Sequence, residues 1–335
     1  MPADMTEDGF SAADGDPSLP PTLAEVAALA GVSPITVSRV LRLPDIVAQP
    51  TRERVEAAMR SLGYVPNLVA GSLASARTRT VGVLVPTVAN AIFADTIQGI
   101  SDVLEPAGYA VFLAQSHYDD DREEKMLAAL LGRRPEALIM VGSPATGAGN
   151  RMVRRARIPV VETWELPPNP IDAVAGFDNL AAGVAVAKHF AGAGRRRLAF
   201  VGGDDPRATR RWTGFCETAR EAGLEPPRRL VQARRAGAGI EAAADLLDRD
   251  AVFAANDALA IGVLAGLRQA GRRVPEDTAL VGLGDLEIGQ LTNPSLSTVR
   301  VYGEEIGRTA GKLTISREGS RRIDLGFSLL IRQSG

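Results

Sequence analysis

The sequence predicts a small all-α headpiece and a hinge, followed by a larger α/β unit of two subdomains with parallel sheets. Residues 22–62 carry apolar side chains at helical spacing, with glycine and proline where helices end and begin. From Thr80 onward, short apolar runs alternate with helix-patterned segments, which is typical of parallel sheets whose strands are buried on both faces. The 335 residues are enough for both units.

The first predicted helix begins after Thr22. Thr22 and Glu25 stand three residues apart, so each side chain can accept a hydrogen bond from a free backbone amide in a capping box. Gly31 supplies the turn that ends this helix. The face expected to point inward carries Val26, Leu29 and Ala30.

The second helix is expected to start directly after Ser33, a good N-cap, with Pro34 at its first position. Its inward face carries Val37, Val40 and Leu41. Two helices joined by a glycine turn also occur as a plain packing motif, but this arrangement has the geometry of a helix-turn-helix, whose second helix enters a DNA major groove. The headpiece residues expected to contact DNA are Thr22, Ser33, Pro34, Ile35, Thr36, Ser38 and Arg39.

A third amphipathic helix, predicted over residues 50–62, completes the headpiece. Its inward face carries Val55, Ala58, Met59 and Leu62. Residues 21–80 contain seven arginines against four acids, a net charge of +3, whereas the formal charge of the whole chain is −2. A modestly basic headpiece suits contacts with phosphates, although this balance alone decides little.

The composition also indicates in which cellular compartment the protein acts. Residues 1–20 carry five acids and no basic residue, and we expect them to form a disordered tail. They lack the basic start and apolar run of a signal peptide, and no stretch is long enough to span a membrane. The single cysteine, Cys216, cannot form an internal disulfide. We therefore expect a cytoplasmic protein with no membrane partner.

The apolar runs of the larger unit are expected to be strands in two series, hence two subdomains with a cleft between them. The runs are residues 81–85, 110–114, 137–141, 159–161, 173–175, 198–201, 230–232, 252–255, 279–282 and 325–331. Ligands of such sheets bind beyond the carboxyl ends of the strands. The ligand-contact candidates that follow these runs are Asn90, Phe93, Glu162, Trp164, Glu165, Asp178, Arg207, Arg211, Asn256, Asp257, Asp285 and Glu287.

These candidates favour a polyhydroxy acid as the ligand. Carboxylates and amides pair with hydroxyls, and arginines hold a carboxylate in a two-pronged fork. Phe93 and Trp164 offer flat faces for a ring or chain rich in C–H groups. Several of the charged residues could instead be surface or cap residues; Asp257, for instance, could simply cap the helix predicted over 258–267.

The headpiece resembles the DNA-binding domain of the lactose-repressor (LacI) family. The matching segments are Glu25-Val-Ala, Ala30-Gly-Val-Ser, Thr36-Val-Ser-Arg-Val-Leu, Thr51-Arg-Glu-Arg-Val and Leu62-Gly-Tyr-Val-Pro-Asn67. The resemblance continues beyond residue 80 and implies a sensor similar to periplasmic binding proteins. The implied domains are a tail (1–20), a helix-turn-helix domain (21–66), a hinge helix and linker (67–79) and an effector-binding and dimerisation domain (80–335). Within the last, the chain should cross between subdomains near residues 178, 302 and 324.

The resemblance also assigns a role to the segment after Pro66. The segment from Asn67 to Ala74 matches a hinge helix that folds only on operator DNA, in the minor groove, and Gly71 makes it a poor helix when free. Leu73 matches a leucine that wedges between base pairs, and Ala70 and Ala74 match small residues that allow two hinge helices to approach. A plain flexible linker is the alternative interpretation.

Two departures from the family pattern stand out. Ala48 occupies the place of a serine N-cap, which should cost the third helix about 1 kcal/mol. Gly284 occupies the place of a common aspartate, with the nearest acids at Asp285 and Glu287, so the contacts of the second subdomain there are open. Other details resemble the gluconate branch of the family. They are Leu41-Arg-Leu-Pro44, Glu162-Thr-Trp-Glu165, Pro170-Ile-Asp172, Gly176-Phe-Asp-Asn179 and Gly284-Asp-Leu-Glu-Ile-Gly289.

The prediction is therefore a homodimeric repressor of a carbohydrate-utilisation operon. It binds palindromic double-stranded operator DNA and is controlled by a small sugar or sugar acid, with gluconate favoured. A sugar-binding protein of a transport system is the alternative, but it would carry a secretion signal and no headpiece. An enzyme is not expected, since no glycine-rich phosphate loop follows the first strand and His117 and His189 lack nearby partners. We expect no catalytic residues, metal site or cofactor. The sequence leaves open whether the effector releases or promotes DNA binding.

Overall fold

The computed structural model describes residues 20–66, 78–316 and 321–335. The chain divides into two compact units, residues 1–77 and 78–335. The predicted disordered tail, apart from residue 20, and the hinge residues Asn67, Ala70, Leu73 and Ala74 lie outside the described residues.

Residues 20–66, the described part of the headpiece, form three α-helices: α1 (Leu23–Ala30), α2 (Pro34–Arg42) and α3 (Gln49–Leu62), with a 3-10 turn at Pro44–Ile46. The axes of α1 and α2 are bent by 102° from one another, and Gly31 joins them in the left-handed conformation at φ 64°. A glycine turn between helices at about this angle is the helix-turn-helix motif. Within the described residues no single helix is long and apolar enough to cross a membrane. Together, α1 and α2 have the required length and apolar composition only if they are counted as one segment across this bend.

The helix starts predicted from the sequence are present. The amide of Thr22 donates to Glu25 Oε2 at 2.6 Å, and the amide of Glu25 donates to Thr22 Oγ1 at 3.3 Å. Ser33 caps α2 by accepting from the amide of Thr36 at 3.2 Å. Ala48, in contrast, gives α3 no side-chain cap. The first two helices thus have side-chain caps at their N-termini, whereas α3 has none.

The headpiece core is built from Val26, Ala27, Ala30, Val37, Val40, Val55 and Ala58, all buried. The prediction that Leu29 points inward is wrong, because its side chain is 55% exposed. Ala27 takes part in the core instead. With 100° between successive residues, an arc centred on Val26, Ala27 and Ala30 leaves Leu29 about 100° away from its centre.

The described residues of the larger unit form two six-stranded sheets. Their strands are β1 (Thr80–Val85), β2 (Ala110–Gln115), β3 (Ala137–Val141), β4 (Val160–Thr163), β5 (Ala173–Gly176), β6 (Leu198–Gly202), β7 (Arg228–Val231), β8 (Ala251–Ala254), β9 (Ala279–Leu283), β10 (Ser297–Val301), β11 (Arg322–Asp324) and β12 (Phe327–Leu330). The helices are α4 (Ala94–Leu104), α5 (Asp120–Gly132), α6 (Gly147–Ala156), α7 (Asn179–Gly192), α8 (Pro206–Glu221), α9 (Ala236–Ala242), α10 (Asp257–Gln269), α11 (Glu287–Gln290) and α12 (Gly303–Ile315).

The first sheet has the order β11-β5-β4-β3-β1-β2 and is parallel throughout. The second has the order β12-β10-β9-β8-β6-β7, in which β12 alone pairs antiparallel, with β10. The chain passes between the sheets after β5, after β10 and between β11 and β12. The carboxyl ends of the parallel strands of both sheets carry the loops that form the cleft.

The strand predictions failed in two ways. β10 and β11 were not predicted, since they alternate polar with apolar residues or are only three residues long. β2 was expected to be buried on both faces, but it forms an edge, and Phe112 and Leu113 are exposed. Apolar composition alone does not distinguish an edge strand from a central one.

Two glycines position α8, the helix that carries the cleft arginines. α7 and α8 pack so closely that a β-carbon on Gly183 would overlap the carbonyl oxygen of Arg211. A β-carbon on Gly214 would likewise overlap the carbonyl oxygen of Leu180. Backbones at this separation admit only glycine, and the N-terminus of α8 is thereby held at the cleft.

Candidate functional site

The exposed face of α2 collects the side chains predicted to contact DNA. Ser33, Pro34, Ile35 and Arg39 are exposed, and Thr36 and Ser38 are half-buried. Ile35 is 66% exposed although it is a large apolar residue. Thr22, also exposed, lies at the N-cap of α1. In a helix-turn-helix, the first helix lies across the DNA backbone and this face of the second enters the major groove.

The larger unit has two adjoining cavities between its subdomains. The inner cavity, about 30 Å³, is lined by Asn90, Ile92, Phe93, Tyr118, Trp164, Asp205, Arg207, Arg211, Arg234, Ala255, Asn256 and Leu283. The outer cavity, about 830 Å³, is bounded by α5, α8 and the loops after β3, β4 and β6. Tyr118, Asp205 and Arg207 line both cavities, so the two form one cleft.

Asp205 organises the positive charge at the start of α8. Its carboxylate caps the helix by accepting from the amides of Arg207 and Ala208 at 3.2 and 3.3 Å. The same group accepts from Arg234 Nη2 at 2.6 Å and lies 3.6 Å from Arg207 Nη2. Burial alone would raise the pKa of Asp205, but the charges of Arg207, Arg211 and Arg234 outweigh it and hold this pKa well below its usual range. Asp205 is therefore ionised and fixes the arginines that surround it.

Arg211 lies buried at the centre of this group. Burial lowers its pKa to about 10, opposed by the carboxylate of Asp205, so the guanidinium remains charged near neutral pH. It donates to Asn179 Oδ1 through Nη1, whereas its Nε has no hydrogen-bond partner among the described residues. Asn179 in turn donates to the carbonyl of Trp164 at 2.8 Å and to Glu165 Oε2 at 3.1 Å. A buried unpartnered donor beside a cavity suits an anionic or hydroxylated ligand.

An aromatic wall faces the arginines. Phe93 and Trp164 pack edge to face with ring centroids 5.1 Å apart, and Trp164 Nε1 donates to Thr96 Oγ1 at 3.1 Å. Arg234 places its Cζ 3.7 Å from the centroid of the Tyr118 ring, in a cation–π contact across the cleft. Trp164 and Tyr118 have left-handed backbones, at φ 67° and 60°. Such conformations cost energy in bulky residues and are enriched where a ligand is held.

The predicted ligand residues separate into two groups. Asn90, Phe93, Trp164, Arg207, Arg211 and Asn256 line the inner cavity, and Glu165 and Arg207 line the outer one. Five others line neither cavity: Glu162, Asp178, Asp257, Asp285 and Glu287.

Four of these five residues form hydrogen bonds or ion pairs with other residues of the protein. Glu162 Oε2 accepts from the amide of Ile171 at 2.7 Å, and Asp178 caps α7 by accepting from the amide of Leu180 at 2.8 Å. Asp285, beside Gly284, pairs with Arg300 at 2.6 Å and Arg332 at 2.5 Å. Asp257 Oδ1 accepts from Thr298 Oγ1 at 2.7 Å. Glu287 is exposed in α11.

Tyr118 and Arg234 are cavity residues that were not predicted. Asp205, three residues after β6, is among the polar residues beyond the strand ends that the sequence offers for the cleft, although it was not among the chosen ligand-contact candidates. Tyr118 follows β2 and Arg234 follows β7, the two edge strands next to the cleft. Their meeting across the cleft depends on how the two sheets face one another, which no local pattern encodes.

Comparisons with known proteins agree with both units. Residues 22–67 match the family described as bacterial regulatory proteins, lacI family, and residues 187–334 match a periplasmic binding protein-like domain. The transcriptional regulator GntR of Pseudomonas aeruginosa is 38% identical over 94% of this chain and 95% of its own length. GntR of Escherichia coli K12 is 33% identical over 92% of this chain and 97% of its own length.

A solved structure extends the match to the fold. A LacI-family transcriptional regulator from Silicibacter pomeroyi superposes with a TM-score of 0.87 and 34% identity, covering 94% of this chain and 99% of that one. Similarity at this level spans the headpiece, the two subdomains and the cleft. The chain therefore belongs to the LacI family of bacterial regulatory proteins, a family of DNA-binding transcriptional regulators.

Proposed function

We propose that the protein is a homodimeric repressor of a carbohydrate-utilisation operon and binds a palindromic operator. A sugar acid bound in the cleft weakens or strengthens this binding to the operator. Gluconate is the favoured effector. The arginines around the inner cavity carry this proposal, above all the buried Arg211 whose Nε has no partner within the described part of the chain. A regulator of this kind acts on chromosomal DNA, so we place it in the cytoplasm.

The headpiece supplies the DNA contacts in this proposal. Arg39 and the hydroxyls of Thr36 and Ser38 set the register on phosphates and bases, and exposed Ile35 contacts a thymine methyl group. Each mismatched base pair should then cost about 1–3 kcal/mol. The hinge residues Asn67, Ala70, Leu73 and Ala74 complete the interface by entering the minor groove at the centre of the operator.

The cleft chemistry supports a sugar acid. The cationic side chains that line the inner cavity can hold a carboxylate in a fork, and Asn90 and Asn256 can pair with hydroxyls. Phe93 and Trp164 present apolar faces to the C–H side of a carbon chain. The segments that resemble the gluconate branch, including Glu162-Thr-Trp-Glu165, make gluconate the first compound to test.

Contacts across the cleft offer a route for regulation. Arg207, on α8 of the second subdomain, donates to the carbonyl of Val141 in the first subdomain at 3.3 Å. The contact between Arg234 and Tyr118 spans the same gap. An effector that competes for these arginines changes how the subdomains meet, and this change controls whether the two hinge helices of the dimer can pair. Operator occupancy responds only if the effector binds the two conformers with different affinity.

Fluorescence anisotropy with a labelled duplex from the gene's upstream region, titrated with and without gluconate, tests the proposal. Salt-sensitive, specific binding that gluconate weakens supports a gluconate-induced repressor. Binding strengthened by gluconate supports corepression, and specific binding that ignores gluconate rejects the effector. A protein that binds gluconate but no DNA would favour the alternative, a sugar-binding protein of a transport system.

A further inference from the structure

The two cavities of the cleft carry opposite charge. The inner cavity is lined by three basic residues, Arg207, Arg211 and Arg234, and one acid, Asp205. The outer cavity is lined by two basic residues, Arg207 and Arg210, and by seven acids. These acids are Asp119, Asp120, Asp121, Glu123, Glu165, Asp204 and Asp205. A ligand that occupies both cavities therefore meets positive charge at one end and negative charge at the other.

The volumes require a six-carbon ligand to occupy both cavities. The inner cavity, about 30 Å³, has room for only about two water-sized groups. A carboxylate fits there, but a whole sugar acid does not. The outer cavity, about 830 Å³, is large enough for the rest of the chain. The shared lining residues Tyr118, Asp205 and Arg207 mark the passage between them.

We propose that the outer cavity makes the cleft selective for singly charged sugar acids. The carboxylate is held by the arginines of the inner cavity, and the uncharged hydroxylated end extends past Asp120, Asp121 and Glu123. A second anionic group at that end is rejected by these acids. This inference rests on the proposed sugar-acid effector and adds which members of that class are bound.

The acids at the start of α5 are suited to this role. Glu123 is fixed in place, because its Oε1 accepts from the amide of Ala145 at 2.7 Å. Asp119 is held as the N-cap of α5 by the amide of Arg122 at 2.7 Å. Asp120 and Asp121 are exposed in the first turn of the helix and line the cavity. These acids offset the positive end of the α5 dipole, which would otherwise attract an anion.

Gluconate and glucarate form a matched pair of probes for isothermal titration calorimetry with the full-length protein. Glucarate differs from gluconate only in carrying a carboxylate in place of the terminal hydroxymethyl group. We expect the wild-type protein to bind gluconate at least roughly tenfold more tightly than glucarate at low ionic strength, because a like charge within the cavity is only partly screened. Added salt should narrow this difference. Equal affinities at low salt would overturn the inference.

The triple substitution Asp120→Asn/Asp121→Asn/Glu123→Gln should reduce the difference to less than about threefold, mainly by strengthening glucarate binding. Gluconate binding should strengthen less than glucarate binding, because the end of gluconate that lies beside these residues is uncharged, so the ratio of the two affinities is the quantity to compare. The side-chain amide oxygen introduced by Glu123→Gln can still accept from the amide of Ala145. The control Glu217→Gln/Glu221→Gln/Glu225→Gln removes the same charge at exposed positions that line neither cavity, and it should keep the wild-type preference. A preference that is the same in both triple variants would overturn the inference.

The single variant Asp121→Asn, at an exposed position, should show part of the change in the ratio of the two affinities even if the triple variant folds poorly.

Two further outcomes separate this inference from the proposed function. Gluconate binding without discrimination against glucarate overturns the selectivity alone. A wild-type protein that binds neither sugar acid overturns the proposed effector and, with it, the selectivity.

Discussion

Arg211 shows how a single buried charge sets up the cleft. Its guanidinium is kept charged by Asp205, is oriented by Asn179 and retains one unpartnered donor in the described structure. Arg210, one residue earlier, pairs with Glu165 at 3.2 Å and Asp178 at 3.8 Å, and its side chain is 43% exposed. These two neighbouring arginines thus differ in burial, and of the two only Arg211 lines the inner cavity.

Replacing Arg211 should therefore weaken effector binding far more than replacing Arg210. We expect Arg211→Met to lose about 1.5–3 kcal/mol of gluconate affinity, because a charged hydrogen bond to the carboxylate is lost. Arg210→Met is the matched control and should change affinity by less than about threefold. Calorimetric titration of both variants measures this difference. Equal losses would show that Arg211 does not hold the ligand.

Asp257 is the residue whose pKa should be visible in stability. Burial raises this pKa to about 6, opposed by hydrogen bonds from Thr298 and from the amide of Leu286. Because the folded-state pKa lies above the ordinary value of 3.8, the folded protein holds a proton that the unfolded chain has released between these values. The contribution of Asp257 to stability is thus greatest below pH 4 and is lost as pH rises through about 6.

Relative to Asp257→Asn, the wild-type protein should lose up to about 3 kcal/mol of stability between pH 4 and pH 7. The difference should then stay constant at higher pH. Urea unfolding of the two proteins across this range measures it, and the asparagine variant cancels the titration of all other groups. A difference that is independent of pH would mean that Asp257 titrates normally.

At the scale of elements, helix ends and close helix contacts decide stability. α1 and α2 have side-chain caps, and α3 begins at an uncapped Ala48. α7 and α8 meet through glycines whose β-carbons would overlap the opposing backbone. The missing cap costs only local stability, whereas a side chain between α7 and α8 would force the two helices apart.

Ala48→Ser should stabilise α3 by about 1 kcal/mol, because the serine hydroxyl can accept one of the free amides at the helix start. Backbone amides of α3 should then exchange with solvent about fivefold more slowly in hydrogen-exchange measurements. Ala48→Val is the control, since valine lacks the hydroxyl and, like alanine, is a poor N-cap. Equal protection in the serine variant and the wild type would show that the local backbone does not permit the cap.

Gly183→Ala should destabilise the larger unit by about 1–3 kcal/mol, because α8 must shift to accommodate the β-carbon. It should also weaken effector binding, since α8 carries Arg207 and Arg211. Gly192→Ala is the matched control at the end of the same helix, where nothing lies within 4 Å of the added carbon. Thermal unfolding of both variants tests this; a Gly183→Ala protein as stable as the control would contradict the packing argument.

At the scale of the whole molecule, the proposed regulation requires the cleft and the DNA-binding surface to be coupled through the predicted hinge. The hinge assignment rests on the sequence, since Leu73 lies outside the described residues. Effector binding and operator binding use separate residues in this scheme. A hinge variant should therefore separate the two activities, whereas a cleft variant should alter both the effector affinity and its effect on DNA binding.

Leu73→Gly should weaken operator binding by tenfold or more, because the apolar wedge that opens the base step is removed and the hinge helix is less stable. Gluconate affinity should remain at the wild-type value. Anisotropy on the operator duplex, together with calorimetric titration of gluconate, gives both quantities. Unchanged operator affinity would reject the hinge interpretation in favour of a plain linker.

The sequence by itself determined the family, the helix-turn-helix and the alternation of strands and helices. These features depend on neighbours a few residues apart: a capping box at Thr22 and Glu25, a proline after Ser33, and apolar runs of strand length. The carboxyl ends of those runs also predicted which loops form the cleft, and Arg207 and Arg211, which were predicted there, line its inner cavity.

Only the tertiary structure decided which of these side chains line the cavities of the cleft. Glu162 lies within β4, Asp257 begins α10, and Asp178 and Asp285 lie beyond strand ends. Each is paired with protein partners, whereas Arg211 keeps an unpartnered donor among the described residues. Tyr118 and Arg234 meet only because the two sheets face one another. The position of a residue at a strand end determines at which edge of the sheet it lies. Whether its hydrogen-bonding groups are already paired depends on residues from distant parts of the chain.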